Sequence, residues 1–164
     1  MKAPLLLIFI EGKDDKRFID SILRTRFERL YKKLRLIKYS KKKAKDICKY
    51  IEGLEDLQGN YIFMGDLDHF PCISARKNQL KKIFACLEDD NISIVAKAIE
   101  GWYLAGLSRG SCKRLHIRKL DCTDSVYKGH FKKIMPRHYK SRSNFMIEIL
   151  KYFNIKIAME NNPQ

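Results

Sequence analysis

Two apolar runs in this chain end abruptly in acids. "LLLIFI" runs into Glu11, with Gly12, Asp14 and Asp15 just behind it, and "YIFMG" runs into Asp66 and Asp68. A third junction, "ISIVAKAIEG", reaches Glu100. Carboxylates brought to one rim repel one another. Ionised together they call for a counter-charge, and a hard cation held through oxygen is the natural one. Asp66 and Asp68 stand two residues apart, which in extended backbone puts both on one face and turns Leu67 the other way, towards a core. That spacing suits two carboxylates sharing Mg²⁺, an ion that keeps waters and adds substrate phosphates to a few protein oxygens. A phosphodiester bound there gains charge neutralisation and a polarised oxygen. Each acid also has a plainer use. A lone D-x-D is common in turns, and Asp14, Asp15 and Glu100 all suit the first turn of a helix, where the dipole favours negative charge. Glu11 is the hardest to explain that way: it follows six apolar residues directly, precedes Gly12, and is a poor N-cap type.

In an open parallel sheet ligands bind at the C-terminal ends of the strands, so these acids converge only if the runs before them are parallel strands. Leu5 to Ile10 is continuously apolar, as a strand buried on both faces should be. From about Asp14 to Leu30 the spacing becomes helical, with Phe18, Ile19, Ile22, Leu23 and Phe27 on one stripe. "LRLIKYS" is a shorter, more polar strand nearer an edge. "KKKAKDICKYIEGLEDL" is helical, with Ala44, Ile47, Cys48, Ile51 and Leu54 in phase, and "GN" ends it. "YIFMGDLDHF" is a third strand and its exit, "PCISARKNQLKKIFACL" a helix, "ISIVAKA" a fourth strand, and "IEGWYLAGL" a helix with Ile99, Trp102, Tyr103 and Leu107 in phase. The alternation predicts an α/β, Rossmann-like fold: about four parallel strands flanked by helices. Beyond residue 108 the chain turns basic and poorly periodic until "NFMIEILKYFNI", a short amphipathic helix on Phe145, Ile149, Tyr152 and Phe153. We read 1–164 as a single domain, with a core over about 1–108 and a basic elaboration plus C-terminal helix over 109–164.

The charge has a direction. Lys and Arg number 34 against 19 Asp and Glu, a net +15 over 164 residues, which favours a polyanionic partner: nucleic acid first, an anionic membrane second. The excess gathers in Arg109, Lys113, Arg114, Arg118, Lys119, Lys128, Lys132, Lys133, Arg137, Lys140 and Arg142, with Tyr127, Phe131 and Tyr139 interleaved. Backbone neutralisation plus base stacking is how single strands are held without sequence preference. Phe131 reads rather as a core anchor. Lys41, Lys42 and Lys43 open a helix at the wrong end for its dipole, which fits an anionic partner better than stability. The cysteines Cys48, Cys72, Cys86, Cys112 and Cys122 are odd in number and form no C-x-x-C pair, so we expect no disulfide framework and a reducing compartment. Cys112, His116, Cys122 and His130 have the spacing of no standard zinc site. "LLLIFI" is too short to span a bilayer and runs straight into "EGKDDK", so no membrane is expected and the chain reads as cytoplasmic.

These acids in this order resemble the Toprim domain shared by topoisomerases, bacterial primases, ribosomal-RNA maturation nucleases and the overcoming-lysogenization-defect (OLD) nucleases. "IFIEGKDD" looks like the E-G-x-x-D that follows the first strand there, supplying Glu11, Gly12 and Asp15; "FMGDLD" looks like the D-x-D after the third, supplying Asp66 and Asp68. The resemblance covers about the first 105 residues. "KAIEGWYLAG" is similar to the E-x-W segment of small stand-alone and OLD-type members, and "FMIEILKYFNIKIAMENNPQ" to their C-terminal helix and tail. His69, Phe70 and Pro71 stand where many members carry a glycine, which marks a divergent branch. The resemblance implies Mg²⁺- (or Mn²⁺-) dependent phosphodiester chemistry on DNA or RNA. Asp66 and Asp68 would hold metal, with Glu100 as an added ligand and Asp15 as a weaker one, and Glu11 would be ligand or general acid/base. The chain has no P-loop G-x-x-x-x-G-K-[ST], so the ATPase that OLD-type relatives carry would be a separate subunit, and a partner-dependent nucleic-acid-binding adaptor is the alternative. A phosphatase would place its D-x-D after the first strand, not the third.

Overall fold

The N-terminal apolar run forms β1 (Ala3–Ile10), followed by α1 (Lys13–Phe18), a π-helical segment (Ile19–Leu23) and α2 (Arg24–Leu30). Then come β2 (Tyr31–Lys38), α3 (Ala44–Asp56), β3 (Asn60–Asp66), α4 (Ile73–Ile83) and β4 (Ile92–Val95). This computed structural model describes residues 1–161; the last residues of the tail likened to that of small Toprim proteins, 162–164, lie outside the described residues. The fold is α/β and Rossmann-like: one four-stranded, all-parallel sheet in the order β2-β1-β3-β4, flanked by helices. Because every strand runs the same way, the exits at Ile10, Lys38, Asp66 and Val95 share one edge. The register sets Ile10 beside Lys38, Phe9 beside Phe63 and Asp66 beside Val95.

Burial explains why β1 does not alternate. Leu5, Leu7 and Phe9 pack with Tyr61, Phe63, Ile92 and Ile94 on one face, under Ile47 and Leu54 of α3, Leu80 of α4 and Phe84 just past it. Leu6, Ile8 and Ile10 point the opposite way and are equally buried, as a strand covered on both faces requires. At the edge, β2 buries none of its residues and carries Lys32, Lys33, Arg35 and Lys38, the usual protection of a free edge against strand pairing.

The cysteine reading needs correction. Cys48 of α3 and Cys86, just past α4, form a disulfide. Neither their odd total nor the missing C-x-x-C could show this. The bond exists because α3 and α4 cover the same face of the sheet, which brings residues 38 positions apart in sequence to a Cα–Cα distance of 5.5 Å. Cys72 and Cys122 are exposed thiols and Cys112 is a buried one.

Met1–Val95 and the residues from Ala96 onward are two compact units. The second is helical: α5 (Ile99–Ala105), α6 (Arg109–Arg114), α7 (Lys128–Ile134), α8 (Arg142–Leu150) and α9 (Ile155–Asn161). α5 packs against α7, α8 and α9 and so belongs to this unit. Gly101 lets the 123 segment cross α5 closely, since a Cβ there would stand 2.6 Å from the Thr123 carbonyl oxygen. The stretch that reads as poorly periodic holds α6 and α7, each too short for a 3.6-residue period to show. Ser108 and Ser141 cap α6 and α8 by accepting from the Ser111 and Asn144 N–H groups. No helix among the described residues is long and apolar enough to cross a membrane.

Candidate functional site

Three of the four strand exits of the sheet unit deliver a polar side chain to one place. β1 gives way to Glu11. At β2 the Tyr39 N–H donates to the Ile10 carbonyl at 3.0 Å, which extends the ladder one residue past Lys38 and carries the Tyr39 ring inward. That ring lies 4.4 Å from Phe63, and its hydroxyl comes within 3.9 Å of where a Cβ on Gly65 would be. β3 ends on Asp66, which is buried. Tyr39 registers the arrangement electrostatically. Burial raises its phenol well above the usual tyrosine range, the Glu11 charge raises it further, the Arg76 guanidinium opposes this, and Asp15 and Asp66 add to the rise. One buried hydroxyl thus feels the three carboxylates of Glu11, Asp15 and Asp66 together.

The acids differ in how they are held. The Gly12 N–H donates to Asp15 Oδ2 at 2.6 Å, so Asp15 closes the turn at the start of α1. Asp14 accepts from Arg17 at 2.7 Å within the same helix. Glu11 Oε2 is buried and accepts no hydrogen bond, and the Tyr39 hydroxyl is likewise buried without a partner. A buried polar atom without a partner costs on the order of 1–3 kcal/mol, more for a charged group.

The D-x-D departs from expectation. The strand stops at Asp66, Leu67 N–H turns to the Val95 carbonyl at 2.8 Å, and Asp68 sits in a turn at φ 51°. The two carboxylates therefore do not follow one another along an extended face, although Leu67 does pack against the core as its position implied. Aspartate is among the few residues that tolerate this left-handed backbone. Arg76 of α4 ties the turn down: its Nε donates to the Asp66 carbonyl at 2.8 Å, its Nη2 lies 3.9 Å from Asp68 Oδ2, and its guanidinium stands 5.1 Å from the centre of the Phe70 ring. Among the described residues no group of three or more His, Cys, Asp or Glu side chains is arranged as a metal cage. The donor chemistry is nevertheless that of a hard cation: oxygen only, anionic, and with one buried oxygen, Glu11 Oε2, that no protein donor serves.

Two residues of this rim are not evident from sequence, Tyr39 and Arg76. The strand-exit rule that singles out Glu11 and Asp66 would have found Tyr39 had it been applied to the second strand. Arg76 carries no local signal, lying mid-helix among other basic residues.

The helical unit holds the remaining residues. Glu100, in the first turn of α5, is fully buried and its Oε1 is ion-paired with Arg142 Nη1 of α8. Lys119 donates to the Leu107 carbonyl at 2.8 Å. Lys113 and Arg114 on α6, Arg118, Lys128, Lys132 and Lys133 on α7, and Arg137 and Lys140 before α8 are exposed. Of the interleaved aromatics, Phe131 and Tyr139 pack on Phe145 and Tyr127 is exposed. No family model matches this chain, and neither a curated protein nor a solved structure matches it.

Proposed function

We propose that this protein is a magnesium-dependent, Toprim-type nuclease that hydrolyses phosphodiester bonds of nucleic acid. The observation that carries the reading is Glu11 Oε2, a buried carboxylate oxygen without a donor at the exit of the central strand, beside Asp66 and Asp15. The excess of positive charge elsewhere in the chain supports a polyanionic substrate. Bound at this rim, Mg²⁺ (or Mn²⁺) would neutralise phosphate charge and polarise a phosphate oxygen. Asp66 and Asp68 are the residues to hold it. Glu11 Oε2 takes the proton of the water whose oxygen bonds to phosphorus; the P–O ester bond breaks and the departing oxygen is protonated from solvent. Asp15 fixes the turn that presents Glu11. Tyr39 keeps its proton at neutral pH, so its O–H is available to donate a hydrogen bond to a phosphate oxygen. Glu100 is left to its ion pair with Arg142.

The test is cleavage of single- and double-stranded DNA and RNA in Mg²⁺ or Mn²⁺, with Asp66→Asn as control. Cleavage that needs the metal and is lost in the variant is expected; no cleavage, or cleavage unchanged in Asp66→Asn, overturns the reading. A partner-dependent nucleic-acid-binding Toprim adaptor, working with a separate ATPase subunit, is favoured by one observation: Asp15, Asp68 and Glu100 already face protein donors or cations. It predicts binding without cleavage. Either reading puts the protein in the cytoplasm, where the Cys48–Cys86 pair would face a reducing thiol pool.

A further inference from the structure

Along the free edge of the sheet unit lies a cleft of about 430 Å³ that the acidic rim does not use, lined by Arg35 and Lys38 of β2 and by Lys42 and Tyr50. A second cleft, of about 410 Å³, adjoins it through Lys42 and Tyr50 and adds Lys49 and Asp46 of α3. Four cations thus meet one acid. Tyr50 exposes 42% of its surface, and Lys42 Nζ stands 5.6 Å from the centre of its ring. Edge protection accounts for Arg35 and Lys38, which lie on the strand itself. It does not account for Lys42 and Lys49, which come from the helix and its approach. Lys42 also stands ahead of α3, where the helix dipole disfavours a cation. The same cations beside an exposed ring are the elements of a single-strand platform, with phosphates met by charge and a base by the aromatic face. The cleft also leads somewhere. Lys38 lines it and is paired in register with Ile10, while the next residue, Tyr39, carries its hydroxyl to the acids.

We infer that this edge cleft binds single-stranded nucleic acid, with a base stacked on Tyr50 and phosphates on Lys42, Lys49, Arg35 and Lys38, and that it tracks the strand towards Glu11 and Asp66. The inference rests on the proposed nucleic-acid substrate and names its strandedness and path. Binding is read on the full chain by fluorescence anisotropy in EDTA, with labelled oligothymidylate and with a labelled duplex of the same length. Lys42→Glu and Lys49→Glu should each weaken oligothymidylate binding by about fivefold or more and lower the slope of log K against log salt by about 1. Tyr50→Ala should weaken it by about fivefold or more while leaving the duplex nearly unaffected. Lys82→Glu, an equal charge change at an exposed site on α4, is the control. Wild-type binding in the edge variants, losses no larger than that of Lys82→Glu, an equal Tyr50→Ala loss on duplex, or no binding by the wild type would each overturn the inference. Because EDTA prevents cleavage, the two readings fail separately. Edge-dependent binding without nuclease activity sinks only the nuclease, and cleavage with edge-independent binding sinks only the cleft.

Discussion

The sheet unit and the helical unit each bury oxygen of a glutamate carboxylate, one oxygen of the half-buried Glu11 and the whole of Glu100, and they treat its charge in opposite ways. Glu100 at the start of α5 is fully buried and faces the guanidinium of Arg142. Glu11 at the exit of β1 has a buried oxygen with no donor, and its neighbours Asp15 and Asp66 are acids too. A buried, paired charge is a structural device, whose loss of one partner strands the other. A half-buried acid with one oxygen that no donor serves, set among like charges, does nothing for the fold by itself and is the kind of feature that function retains. Sequence alone cannot separate the two, since both read as an acid after an apolar strand and both precede a glycine.

The largest effect should come from breaking the paired side. Arg142→Ala takes the guanidinium away from the buried Glu100 carboxylate, and breaking such a pair costs about 3 kcal/mol, at the low end because the Arg142 side chain is 35% exposed. Urea unfolding should show the loss, and adding Glu100→Gln should recover much of it. If Arg142→Ala costs under about 1 kcal/mol, the pair is not what holds Glu100, and the contrast with Glu11 collapses.

A smaller effect, confined to alkaline pH, should come from Tyr39. Its phenol is raised in the folded protein by burial and then by Glu11, with Asp15 and Asp66 adding to the rise against Arg76. A group whose folded pKa lies above its unfolded value stabilises fully below the unfolded value, about 10 for tyrosine, and loses that contribution as pH rises beyond it. Above about pH 10 the folded protein holds a proton that the unfolded chain releases, so stability should fall by about 1.4 kcal/mol per pH unit from this group. Tyr39→Phe should flatten that slope. At neutral pH it should leave stability within about 1 kcal/mol, because the hydroxyl it removes has no hydrogen-bond partner. An unchanged alkaline slope would mean that burial and the charges around it do not hold the Tyr39 phenol protonated.

How much of this was legible in the sequence depends on whether the signal is local. β1 and Glu11 are legible because six apolar residues followed by an acid leave few alternatives, and the strand and helix alternation gives the parallel sheet. The geometry of Asp68 is not legible, because two-residue spacing places two side chains on one face only while the backbone stays extended, and here it turns left-handed. The Cys48–Cys86 bond and the Arg76 clamp depend on how helices lie across one face of the sheet, and no spacing rule reaches that far. The Arg142 partner of Glu100 lies 42 residues on, and as part of a basic run it reads as a nucleic-acid contact.

The smallest expected effect is the most telling for the comparison. Glu11→Gln keeps the shape of the side chain and removes one negative charge from a rim that also holds Asp15 and Asp66. Without divalent cation the variant should be as stable as wild type or more stable by up to about 1 kcal/mol, since like-charge repulsion is relieved and no protein donor is lost. The matching change at the other glutamate, Glu100→Gln, should destabilise, because it strips charge from a buried pair. In Mg²⁺ the order should change. Wild type should gain thermal stability by mass action as the ion binds the folded state, and Glu11→Gln should gain less over the same titration. Thermal melts across a Mg²⁺ series, with Ca²⁺ and high NaCl as controls for general screening, provide the readout. A Glu11→Gln protein that is destabilised as much as Glu100→Gln would show that Glu11 has a structural partner of its own. An identical Mg²⁺ response in wild type and variant would show that Glu11 is no part of a cation site.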